Sequence, residues 1–231
     1  MLAIHLCTLY EVYTTILISY SDRTEAGRVL AQELISTQFY SRPLVLAIPN
    51  GGIAVGFEIA KSLDAELDAI IVRKLQVPGN PEAGFGALTS QGSLLLNERL
   101  VRRIGLKQMQ IDMVVKQTQE QIDRRKADYR GLVGIADPSE KDVILVDDGI
   151  ASGYTMMAAI ESVRSFEPCS ITVAAPTSSS SGAGLVAGEV ENFVCPRIES
   201  GFIFAVANAY KNWYDVPDNE VIDILENHRR R

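Results

Sequence analysis

An α/β fold, with a parallel sheet flanked by helices, follows from three features of the chain. Short apolar runs alternate with helical patterns, and this βαβ rhythm requires parallel strands joined by crossover helices. One run, Val143-Ile144-Leu145-Val146, is apolar and mostly β-branched, the mark of a buried strand. It leads into Asp147-Asp148, a small-residue turn from Gly149 to Gly153, and a helical pattern from Tyr154 to Ser165. A length of 231 residues with 47% apolar and 22% charged content suits one such domain with appendages or a small lid.

The elements follow in order. Met1 to Tyr20 is apolar and rich in Thr, Ile, Val and Tyr. It has no basic start, carries Glu11 and lacks a small-residue cleavage site, so it reads as an added strand or packing arm rather than a signal peptide. Asp22 to Phe39 predicts an amphipathic helix capped by Asp22, with Ala26, Val29, Leu30, Leu34 and Ile35 on one face. Pro43 to Ile48 predicts a buried strand, Pro49-Asn50-Gly51-Gly52 a turn, Ile53 to Leu63 a helix, and Leu67 to Val72 a strand with Arg73-Lys74 at its end. From Leu75 to Gly92 the glycines and prolines predict a long irregular loop, a length uncommon without a function. Ser93 to Asn97 predicts a short strand. Lys107 to Arg130 predicts a long polar helix with Ile111, Val114, Val115, Thr118 and Ile122 inward. Its end, Arg124-Arg125-Lys126, reads as a solvated face, with a phosphate funnel or a subunit contact as the alternative. Ser170 to Ala175 predicts a strand, Thr177 to Gly184 a flexible Ser/Gly connector, Val190 to Val194 a last strand, and Glu220 to Asn227 a closing helix capped by Asp218.

The turn after Val146 is built to hold an anion. Gly149 and Gly153 let backbone N–H groups converge, and the following helix N-terminus adds partial positive charge. Ser152 and Thr155 add hydroxyls. The two carboxylates suit the cis-diol of a ribose or a hydrated cation instead. A diol site beside a phosphate site describes a ribose 5-phosphate, at the strand ends where open α/β sheets bind ligands.

The stretch from Val143 to Thr155 resembles the phosphoribosyl-diphosphate (PRPP) signature of the type I phosphoribosyltransferases: four apolar residues, two acids, two apolar or small residues, then a small-hydroxyl-Gly-x-hydroxyl loop. Arg73-Lys74-Leu75-Gln76-Val77-Pro78-Gly79-Asn80-Pro81-Glu82, with the late Phe202-Ile203-Phe204-Ala205-Val206 pattern and a following Tyr, is similar to a broad predicted phosphoribosyltransferase group of bacteria and archaea. The resemblance spans roughly residues 20 to 228 and implies a parallel sheet flanked by helices with a small hood. It divides the chain into an arm (1–20), a core (21–195) with a mobile loop (75–92), and a hood segment with a closing helix (196–231).

The resemblance also implies site roles. Ala151, Ser152, Gly153, Tyr154 and Thr155 would hold the 5-phosphate. Asp147 and Asp148 would act as the catalytic acids, holding the ribose hydroxyls directly or through hydrated Mg²⁺, the implied cofactor. Asn50, Gly51, Gly52, Arg73 and Lys74 would bind diphosphate, although Asn50 stands where family members often carry a cation. Ala151 stands where enzymes acting on 6-oxopurines commonly carry a carboxylate base, which argues against that substrate class. Phe202 and Phe204, in the aromatic cluster running to Tyr214, would stack on a flat heteroaromatic acceptor or else form a small hood core. The implied activity is transfer of the phosphoribosyl group from PRPP to a nucleobase-like acceptor, as in nucleotide salvage. A non-catalytic PRPP or nucleotide-binding regulator and a hydrolase are the alternatives.

A net charge of −7 argues against a nucleic-acid partner. Cys7, Cys169 and Cys195 have no metal spacing and read as reduced thiols of a cytoplasmic protein, with no membrane span. Only His5 and His228 are present, which disfavours a His-based site. The family resemblance and the apolar arm together point to a homodimer.

Overall fold

Strand β1 (Leu44–Ala47) and strand β6 (Asp142–Val146) are buried at every residue and pair in parallel at the centre of a five-stranded sheet. A computed structural model describes residues 19–134, 136–201 and 203–230, with side chains at all of these except Pro81 and Glu82. The arm expected from Met1 therefore lies, up to residue 18, outside the described residues. Along the chain come α1 (Arg23–Leu34), β1, α2 (Gly51–Leu63), β2 (Glu66–Ala69), β3 (Val72–Val77), β4 (Asn80–Thr89), β5 (Leu94–Leu96), α3 (Glu98–Ile104), α4 (Gln108–Asp128) and β6. Then follow α5 (Tyr154–Arg164), β7 (Ser170–Ala174), β8 (Thr177–Ser179), α6 (Ser180–Val186), β9 (Asn192–Val194), β10 (Arg197–Glu199) and α7 (Asp218–Arg229).

The main sheet has the order β2-β1-β6-β7-β9 and is parallel throughout. Helix α2 carries the chain from β1 outward to β2, and α5 carries it from β6 outward the other way to β7. The direction of winding thus reverses between β1 and β6. At such a switch point the loops leaving neighbouring strands splay apart and open a crevice. One apolar core contains Leu30, Val45, Ile53, Ile59, Ile122 and Val221, joining α1, β1, α2, α4 and α7. A second contains Leu46, Leu145, Met156, Ile160 and Val173, around α5. No helix among the described residues is long and apolar enough to cross a membrane.

Several expectations are corrected. Leu67 to Val72 is not one strand: β2 ends at Ala69, Ile70-Ile71 cross over, and β3 joins a second sheet. Arg73 and Lys74 therefore lie within β3, not at a strand end. Residues 75–92 are not an irregular loop: they hold the end of β3 and all of β4, paired antiparallel and turned at Pro78-Gly79, with Gly79 at φ +79° and β5 added on the far side of β4. The pairing pulls Leu75, Phe85, Ala87 and Leu88 out of water, which a loop would not do. Thr177 to Gly184 is not a flexible connector. Ser179 accepts a bond from the Gly182 amide at 2.9 Å and so caps α6, while β8 pairs with β10. Asp22 caps α1 as expected, through the Glu25 amide at 2.9 Å. Asp218, expected to cap, instead opens the first turn of α7, and its carboxylate is drawn sideways to Asn50 and Arg125.

Candidate PRPP-binding site

Asp147 and Asp148 emerge at the carboxyl end of β6, in the crevice between β1 and β6. The loop beyond them encloses a cavity of about 120 Å³ lined by Asp147, Gly149 to Gly153, Thr155 and Met156. Gly153 sits at φ +80°, a conformation that costs glycine little, and opens α5. The first bond of the following helix runs from the Met157 amide to the Gly153 carbonyl at 2.9 Å. The amides ahead of it, at Tyr154 and Thr155, precede the first helical donor, have no acceptor within the helix and are free to meet an anion. Ser152 and Thr155 border the cavity. Tyr154 does not.

The Ser-rich segment braces this loop. The Ile150 amide donates to Thr177 O at 2.9 Å and the Ser179 amide to Ile150 O at 2.9 Å. Ser179 Oγ donates to Ala151 O at 2.5 Å. Gly182 lets α6 press on the loop, since a Cβ there would stand 2.6 Å from Ala151 O. A low-complexity reading hides this role; the signal available was Ser179 itself, a residue type favoured as a helix N-cap.

The two acids differ. Asp147 Oδ1 accepts from the Asp148 amide at 2.8 Å, and its carboxyl also meets that of Asp148. Burial first, and then the Asp148 charge beside it, push the Asp147 carboxyl well above the usual carboxylate range. Asp148 is ion-paired: Arg23 Nε donates to its Oδ2 at 2.8 Å. Tyr210 OH donates to the Asp148 carbonyl at 2.6 Å. Sequence reasoning missed Arg23. Its signal was a cation in the first turn of α1, against the helix dipole, where only a specific partner makes it favourable.

The N-terminus of α2 forms the other wall, where Gly51 and Gly52 lie against the acids. A Cβ on Gly52 would stand 3.0 Å from the Asp147 Cα, so the glycine loop and the acidic pair share one crevice. Asn50 does not face this crevice with a free amide. Its Nδ2 donates to Val216 O at 2.7 Å and Asp218 Oδ1 at 2.8 Å, and its Oδ1 accepts from Arg125 Nη2 and from Tyr129 OH. Arg125 in turn pairs with Asp218 at 2.7 Å. Arg125 is therefore not part of a solvated face, although Arg124 is exposed. Its spacing after Thr118 and Ile122 had placed it on the buried stripe of α4.

Arg73 and Lys74 diverge, as neighbours on a strand must. Burial, and then the charge of Arg125, hold the Arg73 guanidinium below its ordinary pKa, and its buried Nε meets no acceptor among the described residues. Arg73 thus joins the neighbourhood of Arg125, Tyr129 and Asp218 beside Asn50. Lys74 instead lays its stem across Gly84 on the opposite face. Phe202 lies outside the described residues. Phe204 is half-buried, two residues before Val206, whose side chain covers Gly149. The later rings of the aromatic cluster are occupied: Trp213, Tyr214 and Tyr210 surround the Arg23 guanidinium, with centroids 4.1, 5.5 and 5.6 Å from its carbon.

Mg²⁺ takes one or two carboxylates together with waters and substrate phosphates. Asp147 and the remaining oxygen of Asp148 fit that donor set. Among the described residues no three His, Cys, Asp or Glu side chains converge on a metal position.

The site thus consists of a glycine turn, an acidic pair and a glycine-started helix gathered at the switch point of a doubly wound α/β sheet. The comparisons identify the family: the chain belongs to the phosphoribosyl transferase domain family, whose profile matches residues 20–208. A Mycobacterium tuberculosis protein, whose name assigns it provisionally to the phosphoribosyl transferases, is 35% identical over 211 residues, covering 91% of this chain and 47% of the relative. The chain thus spans about half the length of the curated relatives it matches. A crystal structure of a Thermus thermophilus protein superposes with a TM-score of 0.76 at 32% identity, covering 90% of this chain and 97% of that one. A Neisseria gonorrhoeae protein shares the fold at 12% identity and a TM-score of 0.51, covering 92% of this chain and 96% of that one.

Proposed function

We propose that this chain transfers the 5-phosphoribosyl group of PRPP to a nitrogenous, nucleobase-like acceptor and releases diphosphate, with Mg²⁺ carried by the substrate and the acidic pair. The observation that carries this reading is the convergence at the β1/β6 switch point of the braced anion loop, the acids Asp147 and Asp148, and the Gly51-Gly52 helix start.

The amides of residues 151–155, with the hydroxyls of Ser152 and Thr155, hold the 5-phosphate. Asp147 and Asp148 take the ribose hydroxyls. The α2 N-terminus and Arg73 face the diphosphate and stabilise the charge it gains on leaving. Mg²⁺, when bound, supplies further positive charge to that leaving group. The C1–O bond to diphosphate breaks with its electron pair going to diphosphate. The acceptor nitrogen's lone pair forms the new C1–N bond, and the nitrogen's proton passes to solvent or diphosphate. Catalysis here is positioning and electrostatics, so Ala151 in place of a carboxylate is compatible with turnover.

Asn50, locked by Arg125 and Asp218, favours a second reading, a PRPP-binding regulator without turnover. The experiment that decides is diphosphate release from PRPP and Mg²⁺ across a nucleobase panel, run beside calorimetric PRPP binding. Release that depends on a base supports the transferase. Binding without release supports the regulator. Absence of PRPP binding contradicts both.

A further inference from the structure

Resting on that reading of the acidic pair, we propose that Arg23 is a positioning residue for ribose recognition: it fixes the Asp148 carboxylate by one oxygen and leaves the other for the substrate.

Four observations carry this. Arg23 is 5% exposed and donates at two points, from Nε to Asp148 Oδ2 at 2.8 Å and from Nη1 to Tyr214 O at 2.9 Å. Its plane is stacked against Trp213, 4.1 Å from the ring centroid, so the guanidinium has little freedom to swing away. Gly51 clears the same oxygen from the other side, because a Cβ there would overlap Oδ2 and stand 2.8 Å from Arg23 Nε. Finally, among the described residues no amide, hydroxyl or guanidinium donates to Asp148 Oδ1, and the carboxylate's other contact is the neighbouring Asp147 carboxyl.

A buried ion pair is a poor device for stability alone, since an apolar pair of similar volume often does as well. What the pair does achieve is an immobile carboxylate at the mouth of β6. Three separate parts of the chain spend residues on it: the first turn of α1, the start of α2, and the segment 210–214. The aromatic residues there, Tyr210, Trp213 and Tyr214, act on the ribose side of the site, through Arg23.

The test titrates the full chain with PRPP and, as a ribose-free anion, with inorganic diphosphate, both in Mg²⁺. Arg23→Gln is expected to weaken PRPP binding by about tenfold or more, the loss of a charge-assisted contact, and to leave diphosphate affinity unchanged. Arg23→Lys restores the charge without the fork or the stack and falls between wild type and Arg23→Gln. Trp213→Leu keeps both hydrogen bonds and is expected to weaken PRPP alone by a smaller factor. A folded Arg23→Gln variant with wild-type PRPP affinity overturns the proposal, as does an equal loss for both probes. If Arg23→Gln does not fold, Trp213→Leu decides on the same criteria. A wild-type chain that does not bind PRPP overturns the proposed function, and this inference with it.

Discussion

Gly51 presents bare backbone to the Asp148 carboxylate: a Cβ at position 51 would overlap Oδ2, the oxygen that receives Arg23. The start of α2 and the end of β6 are thereby pressed together where the winding of the sheet reverses. That closeness lets one crevice offer helix amides on one wall and carboxylates on the other.

Gly51→Ala tests this contact. The added methyl must push Asp148 aside or displace the start of α2. Overpacking of this kind costs about 1–3 kcal/mol, and the displaced carboxylate loses its Arg23 bond. Lowered stability in urea melts together with weakened PRPP binding is the expected result. Wild-type PRPP affinity in this variant would show that Asp148 can move without consequence.

The brace under the anion loop is tested at Ser179. Its Oγ accepts from the Gly182 amide and donates to Ala151 O. Ser179→Ala removes a helix cap and a loop contact at once, for a loss of about 1–2 kcal/mol. Ser179→Thr keeps the hydroxyl and recovers part of that loss. Because Ala151 opens the loop proposed to hold the 5-phosphate, ribose 5-phosphate affinity is expected to fall in the alanine variant, read by calorimetry.

Arg73 is expected to trade stability for binding. Its buried Nε meets no acceptor among the described residues, and the like charge of Arg125 stands nearby. Arg73→Leu removes that unfavourable burial and is expected to raise the melting temperature while weakening inorganic diphosphate binding. A lower melting temperature with unchanged diphosphate affinity would assign Arg73 to the fold instead.

Acid sensitivity is expected from Asp142, at the far end of the same strand. Its carboxylate is fully buried. It accepts from Ser170 Oγ at 2.6 Å, from the Tyr40 and Ser41 amides at 2.6 Å each, and from Ser41 Oγ at 3.1 Å. Burial alone would raise its pKa, but these donors outweigh it and hold the carboxyl below the usual range. The folded state therefore binds fewer protons than the unfolded state. The stability Asp142 contributes is present above the unfolded carboxylate pKa of about 3.9 and is lost as pH falls through the lower folded value. Asp142→Asn is expected to cost about 2 kcal/mol at pH 7. In urea melts the gap from wild type should close below about pH 4; a gap that widens on acidification contradicts this.

Much of the fold was legible because its signals are local. The apolar run ending in Asp147-Asp148, the glycine turn and the α5 pattern each depend on residues close in sequence, and so does the Asp22 cap. The β3-β4-β5 sheet was not legible, because its Pro78-Gly79 turn and the glycines at 84 and 86 look like loop composition. What makes them strand is the pairing across the turn and the burial of Phe85 and Leu88. The site divides the same way. The acids and the anion loop are contiguous and could be read directly. Arg23, Arg125 and Ser179 act on residues 125, 75 and 28 positions away. Only the folded chain brings a helix start, the end of a long helix and a Ser-rich run to the same crevice.

The most direct measurement is a calorimetric titration of PRPP with Mg²⁺ into the wild-type chain and into the double variant Asp147→Asn, Asp148→Asn, with melting curves to show that both are folded. The account predicts saturable binding to the wild type and its loss in the folded double variant. Equal affinity in the two proteins would contradict it, because the acidic pair at the end of β6 would then have no part in holding the ribose.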